Sequence, residues 1–298
     1  MSKIKTEDSI VSSIVGYLEN NFKDNLVSVF GIGSYFDKSL PVDWKITDID
    51  VIVIVNSLET IPKSEWTEVR YETKFVNNFK VWLGYNTLEG LKNKEIFNKE
   101  SFANYEWSLI DLKCPENSQI LYGEDIRSQL PKISELQYNF DDIFARSLYH
   151  LDKSLKEFSG LRVSNKDISV SKREFTKAVF KFGFYLCKYF DNEYYLTSVL
   201  KISKHLENLL LNSGVRKKIL YFMKESLLFR RTNKFSTDFK NIQKNYTFFI
   251  ISLLRNGILH RKLEYQELVS YLTELLNGLP YLTSYIKTAK KIYNSSKN

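Results

Sequence analysis

Residues 31–55 read GIGSYFDKSLPVDWKITDIDVIVIV, and how this stretch is parsed decides the fold. It ends in IDVIVIV (49–55), a β-branched run that is apolar at both parities. That is the pattern of a central strand covered on both faces. Asp48 and Asp50 stand at the mouth of the run. Residues i and i+2 of a strand point to the same side, so the two carboxylates project together. Close carboxylates raise each other's pKa unless a cation lies between them. An oxygen-only donor pair suits Mg²⁺, which keeps several waters and shares phosphate oxygens. The alternative is a pair of solvent-facing charges at a strand end. Upstream, LVSVFG (26–31) reads as a second strand leading to Gly33 and Ser34. Gly33 lets the backbone approach a ligand closely. Ser34 offers a hydroxyl and an amide to a phosphate, and a helix starting there would add its N-terminal amides.

Working outward, residues 6–22 repeat apolar positions at helical spacing after a polar start. Pro62 and a polar cluster mark a loop. Residues 66–75 and 79–86 read as two strands around Asn77-Asn78, a turn dipeptide. TLEGLKNKEIF (87–97) reads as a short helix capped by Thr87, and 102–113 as another, stopped near Pro115. After Pro131 the period becomes helical throughout, in segments that often start at Ser, Asp or Asn. The expectation is an α+β chain: a small mixed sheet with helices over 1–131, then an all-α helical bundle over 132–298.

Composition narrows the class. Of 298 residues, 43% are hydrophobic and 26% charged, as in a soluble globular protein with a sizeable core. The 19 Tyr and 21 Phe can fill irregular helical interfaces, so they do not by themselves indicate base stacking. The net charge of +8 and pI near 9.1 favour nucleotides or nucleic acids as partners. Cys114 and Cys187 are the only cysteines, which excludes a disulfide framework and a cysteine-rich zinc site and suits a reducing cytoplasm. No apolar run reaches the roughly 18 residues that span a bilayer. MSKIKTEDSIVSS lacks an apolar signal-peptide core, so a cytoplasmic protein without membrane attachment is expected.

The order VFGIGS, thirteen residues, then DIDVIVIV resembles the nucleotidyltransferases of the DNA polymerase beta superfamily, in their minimal form. Thr47 stands where these proteins often carry Ser. ILYGEDI (120–126) resembles the end of the same module, so the likeness covers 26–55 well and the chain to about 131 more loosely. The resemblance implies that Gly33 and Ser34 hold the triphosphate of an NTP, ATP by preference, and that Asp48 and Asp50 ligate Mg²⁺. It implies transfer of a nucleoside monophosphate to a hydroxyl of a protein, a small molecule or RNA. The family also uses a third carboxylate on a later strand. In FKVWLGY that acid would fall near Trp82, which cannot serve; Glu72 in VRYETKF is the substitute, with Glu68 and Asp111 behind it.

LLRNGILHRKLEY (253–265) resembles the Arg-x(4–6)-His signature of HEPN domains, helical bundles often fused to minimal nucleotidyltransferases. It implies that Arg255, Asn256 and His260 act on RNA, across a homodimer interface. Arg suits phosphate by its planar donor fork and His by a pKa near neutrality. Asn256 and His260 are four apart and share a helix face. The plainer reading is a helix whose His-Arg-Lys end complements its dipole. Lys262 stands where related proteins carry a Tyr that accepts a nucleotide, so that modification is not implied. His150 and His205 fall in amphipathic helices without a zinc-like pairing. VRKKIL (215–220) and FRRTNKF (229–235) are either solvated faces or an RNA-facing patch. Beside the transferase stand two other readings, a HEPN-type RNA-binding or RNA-cleaving protein and a lapsed nucleotide-binding one.

Overall fold

The computed structural model describes residues 3–61, 70–76, 78–92, 110–132, 140–159 and 165–255. The chain divides into two compact units, Met1–Tyr138 with Glu193–Lys201, and Asn139–Asn192 with Ile202–Asn298. The first carries a mixed sheet and the second is helical, so the α+β expectation holds.

In the first unit, α1 (Lys3–Phe22) leads through a 3₁₀ turn into β1 (Leu26–Ile32). β2 (Asp48–Val55), β3 (Arg70–Val76) and β4 (Phe79–Thr87) follow, then the short α2 (Leu88–Lys92) and β5 (Ser118–Gly123). The strand order is β3-β4-β2-β1-β5. β2 is central, antiparallel to β1 and parallel to β4. Its apolar run is unbroken because both faces are covered: Val51 to Val55 are at most 3% exposed. On one face, Ile10, Ile14 and Leu18 of α1 pack on Val29, Val51, Val53, Leu83 and Tyr85. Their spacing of four keeps them on one helix stripe, and burying each contributes about 1.5–3 kcal/mol.

Local signals act as the sequence indicates. Asn78 adopts φ +70°, the left-handed region that Asn tolerates, between the antiparallel strands β3 and β4. The Gly90 amide donates to Thr87 Oγ1 at 3.0 Å, which caps α2. Residues Ile110 to Lys113 are helical and run into Cys114 and Pro115.

Residues Glu193–Lys201 return to the first unit and are held there by polar contacts. Asn117 Nδ2 donates to Thr197 Oγ1 at 3.1 Å, and the Thr197 hydroxyl donates to Asp111 Oδ1 at 2.5 Å. The Ser198 and Ser39 hydroxyls lie 3.0 Å apart, and Lys201 pairs with Glu116 at 3.1 Å. A linear reading has no signal for this return, because each partner is a lone polar residue without periodicity.

The second unit contains α3 (Phe140–Ser159), α4 (Asn165–Phe190), most of α5 (Val199–Asn208), α6 (Ser213–Thr232) and α7 (Phe239–Arg255). Among the described residues its core is rich in aromatic side chains. Phe229, Phe235 and Phe239 stack at 4.8 and 5.0 Å, and Phe175, Phe182, Phe222 and Phe249 meet Tyr246 edge-on or tilted. Asn212 caps α6 through the Gly214 amide, and the Asn241 amide at the start of α7 donates to Asp238. Of the basic stretches, Lys217 and Lys218 are exposed, whereas Arg230 is only 7% exposed and points inward. Among the described residues no helix is long and apolar enough to cross a membrane.

His150 of α3 meets Glu174 of α4 at 2.8 Å, with Lys153 and Lys177 each 3.7 Å from the same carboxylate. Burial pushes the imidazole down to about 4, against the raising pull of Glu174. Burial opposes ionisation of Glu174, yet the His150 hydrogen bond and the lysines hold its carboxyl at about 2. Both groups thus bind protons more weakly when folded. Their stabilisation is complete above the ordinary histidine value and is lost as pH falls, first through the window from 6.5 to about 4. The histidine contribution lost across that window is about 3 kcal/mol. Urea midpoints should fall steeply below pH 6.5 in the parent, and His150→Gln should flatten that fall.

Candidate active site

Register decides which side chains meet. Ser118 of β5 is opposite Ile32 of β1, Ile32 is opposite Asp50, Asp50 is beside Trp82 of β4, and Trp82 is opposite Thr73 of β3. Cross-strand partners share a sheet face. Asp50 and Trp82 are therefore neighbours on the face turned away from α1. Asp48, two residues earlier, is on the same face and beside Lys80. The two aspartates project together, as the spacing requires, and both are half-buried.

The two glycines of VFGIGS serve different ends. A Cβ at Gly31 would meet the Phe36 ring at 2.2 Å, so this glycine makes room for packing on the α1 face. Gly33 has φ +75°, and a Cβ there would lie 3.3 Å from Asp50 Oδ2. Its missing side chain leaves space beside that carboxylate. The Gly33 carbonyl accepts the amides of Phe36 at 3.2 Å and Asp37 at 3.0 Å, closing a 3₁₀ turn over Gly33–Tyr35 with Ser34 half-buried in it. A single turn follows β1, so a full helix N-terminus does not contribute. The Thr47 hydroxyl donates to Asp48 Oδ1 at 2.8 Å and orients that carboxylate. The donor set is oxygen only, the carboxylates lie on one face, and the glycine keeps the adjoining space clear; these features fit a Mg²⁺ ion.

Glu72, the expected third carboxylate, is not brought to this pair. It is opposite Leu83, which is beside Val51, so it lies on the α1 face. There its Oε1 accepts the Tyr17 hydroxyl at 3.0 Å and the Tyr85 hydroxyl, and its Oε2 is 3.3 Å from Lys74 Nζ. Burial, then the bond to Glu72, raises the Tyr85 phenol far above its ordinary range. Glu72 thus ties β3 to α1. Asp111 accepts the Thr197 hydroxyl, and Glu68 lies outside the described residues. Among the described residues no three His, Cys, Asp or Glu side chains cluster closely enough to hold a metal. Of the HEPN-like set, Arg255 is the last described residue of α7, while Asn256 and His260 lie outside the described residues.

The residue missed by sequence reasoning is Lys80. Its ammonium lies over the Trp82 ring, 3.8 Å from the centroid. The signal was present, since Lys80 precedes Trp82 by two and shares its parity.

No protein-family model and no curated protein matches the chain. Among solved structures, a nucleotidyltransferase-like protein from Exiguobacterium sibiricum is similar at 13% identity and a TM-score of 0.30, over 98% of this chain and 92% of that one. A likeness of that degree settles neither fold nor chemistry, so the residues carry the reading.

Proposed function

We propose that the first unit is a Mg²⁺-dependent nucleotidyltransferase that moves a nucleoside monophosphate from an NTP, ATP by preference, to a hydroxyl. The carrying observation is the Asp48–Asp50 pair on one face, with the space left by Gly33 beside the Asp50 carboxylate. Asp48 and Asp50 would hold the metal, which when bound supplies Lewis-acid charge at the phosphates. Thr47 keeps the Asp48 carboxylate turned for that task. Gly33 allows the triphosphate to come close to the backbone, and Ser34 donates its hydroxyl to a phosphate oxygen. The acceptor oxygen forms a bond to the α-phosphorus, the bond from that phosphorus to the bridging oxygen breaks, and pyrophosphate leaves. The acceptor hydroxyl gives up its proton to solvent. The acceptor is a protein side chain, a small molecule or RNA.

The test compares ATP labelled at the α-phosphate with ATP labelled at the γ-phosphate, each with Mg²⁺ and candidate acceptors. The α label should move to an acceptor while the γ label appears in pyrophosphate, and EDTA should stop both. Release of the γ label as orthophosphate, with no movement of the α label, would mean a hydrolase instead.

A further inference from the structure

We propose that Lys80, carried on the Trp82 ring, is a phosphate-binding cation of this site, so that a nucleoside triphosphate is held by one divalent ion together with Lys80. The inference rests on the transferase reading and adds a residue to it. β4 runs parallel to β2 with Lys80 beside Asp48 and Trp82 beside Asp50. Adjacent strands are about 4.8 Å apart, so these four side chains form a compact block on one face. Two are anionic, one is cationic and one is an aromatic plate. A lysine normally spreads over many rotamers. Here its ammonium is 3.8 Å from the indole centroid, which fixes the charge over the ring by cation–π attraction. Both Lys80 and Trp82 are half-buried, so the charge is partly desolvated yet open to a ligand.

The placement has a chemical consequence. A third acid beside Asp50 would draw a second metal, but the residue there is Trp82, and the charge next to it is already positive. Glu72 faces the other way. A triphosphate entering past Gly33 and bound to a metal on Asp48 and Asp50 would still carry uncompensated negative charge. Lys80 is the cation on the same face that the register places beside it.

The experiment measures binding of ATP and of inorganic triphosphate by calorimetry with Mg²⁺, and counts bound Mn²⁺ by electron paramagnetic resonance in place of Mg²⁺. Wild type should take one Mn²⁺ per bound nucleotide. Lys80→Ala should weaken both ligands by about tenfold to a hundredfold, the range for a hydrogen bond to a charged group, with the metal count unchanged. Lys80→Gln should behave like the alanine variant, and Lys80→Arg should restore most of the affinity. Trp82→Ala should weaken binding less than Lys80→Ala, with Trp82→Phe closer to wild type. Two Mn²⁺ per nucleotide, or a Lys80→Ala affinity within twofold of wild type, overturns the inference while leaving the transferase reading intact. Binding indifferent to Asp48→Asn, or no binding by wild type, overturns both.

Discussion

On the proposed reading, changing Asp48 and Asp50 together to asparagine lowers nucleotidyl transfer by about a thousandfold and leaves the melting temperature nearly unchanged. The magnitude follows from the charge that a metal held by these residues would bring to the reacting phosphates. Metal-borne charge stabilisation is worth several kcal/mol, and each 1.36 kcal/mol is a factor of ten in rate. Asparagine keeps the shape and the Thr47 contact but loses the negative charge that holds a divalent ion. Stability should change little, because asparagine is isosteric with aspartate and still accepts the Thr47 hydroxyl. Single-turnover rates at saturating Mg²⁺, set beside thermal melts of the same samples, check both halves. A rate within tenfold of wild type removes the two aspartates from the chemistry.

Gly123→Ala lowers the stability of the first unit by about 3–5 kcal/mol, combining a left-handed backbone with an overpacked contact. Gly123 has φ +74°, and an added Cβ would sit 2.1 Å from the Val27 carbonyl oxygen and 3.0 Å from Ser28 Cα. Both neighbours are backbone, so no side chain can swing aside. The residue is also paired with Ser28 at the end of β5, next to the Ser28 hydroxyl bond to the Glu124 carbonyl. Relief would require β5 to leave β1. A urea midpoint at unchanged slope would measure the loss, and the melting temperature should fall by roughly 10–15 °C. A loss below 1 kcal/mol would mean that the strand end shifts freely.

How much of the site is legible in sequence depends on the range of the contact. Asp48 and Asp50 are two apart on one strand, so parity alone puts them together. Thr87 accepts an amide three residues on, and Gly33 lets the backbone come close to a ligand; both are local. Glu72 is different. Its face depends on how β3 pairs with β4, and a slip of one residue turns every side chain over. The pairing is set where β3 hands over to β4: with Val76 opposite Phe79, Thr73 falls opposite Trp82 and Glu72 opposite Leu83. The expected strand, 66–75, ended one residue short of the observed Val76, and that end fixes the count. Lys80 is legible by the same parity as the aspartates, since it stands two residues before Trp82 on its strand. The Thr197–Asp111–Asn117 contacts span about eighty residues of chain, and nothing periodic announces them.

That long return bears on how the protein is made. A ribosome delivers the sheet strands early, but Thr197, Ser198 and Lys201 emerge only after α3 and α4 have been synthesised. Until then Asp111, Glu116 and Asn117 lack those partners, although Asn117 is only 4% exposed in the finished molecule. The nascent N-terminal half therefore waits, incomplete, for a stretch encoded some sixty residues downstream of Tyr138, and expressing it alone would yield a fold with one seam left open.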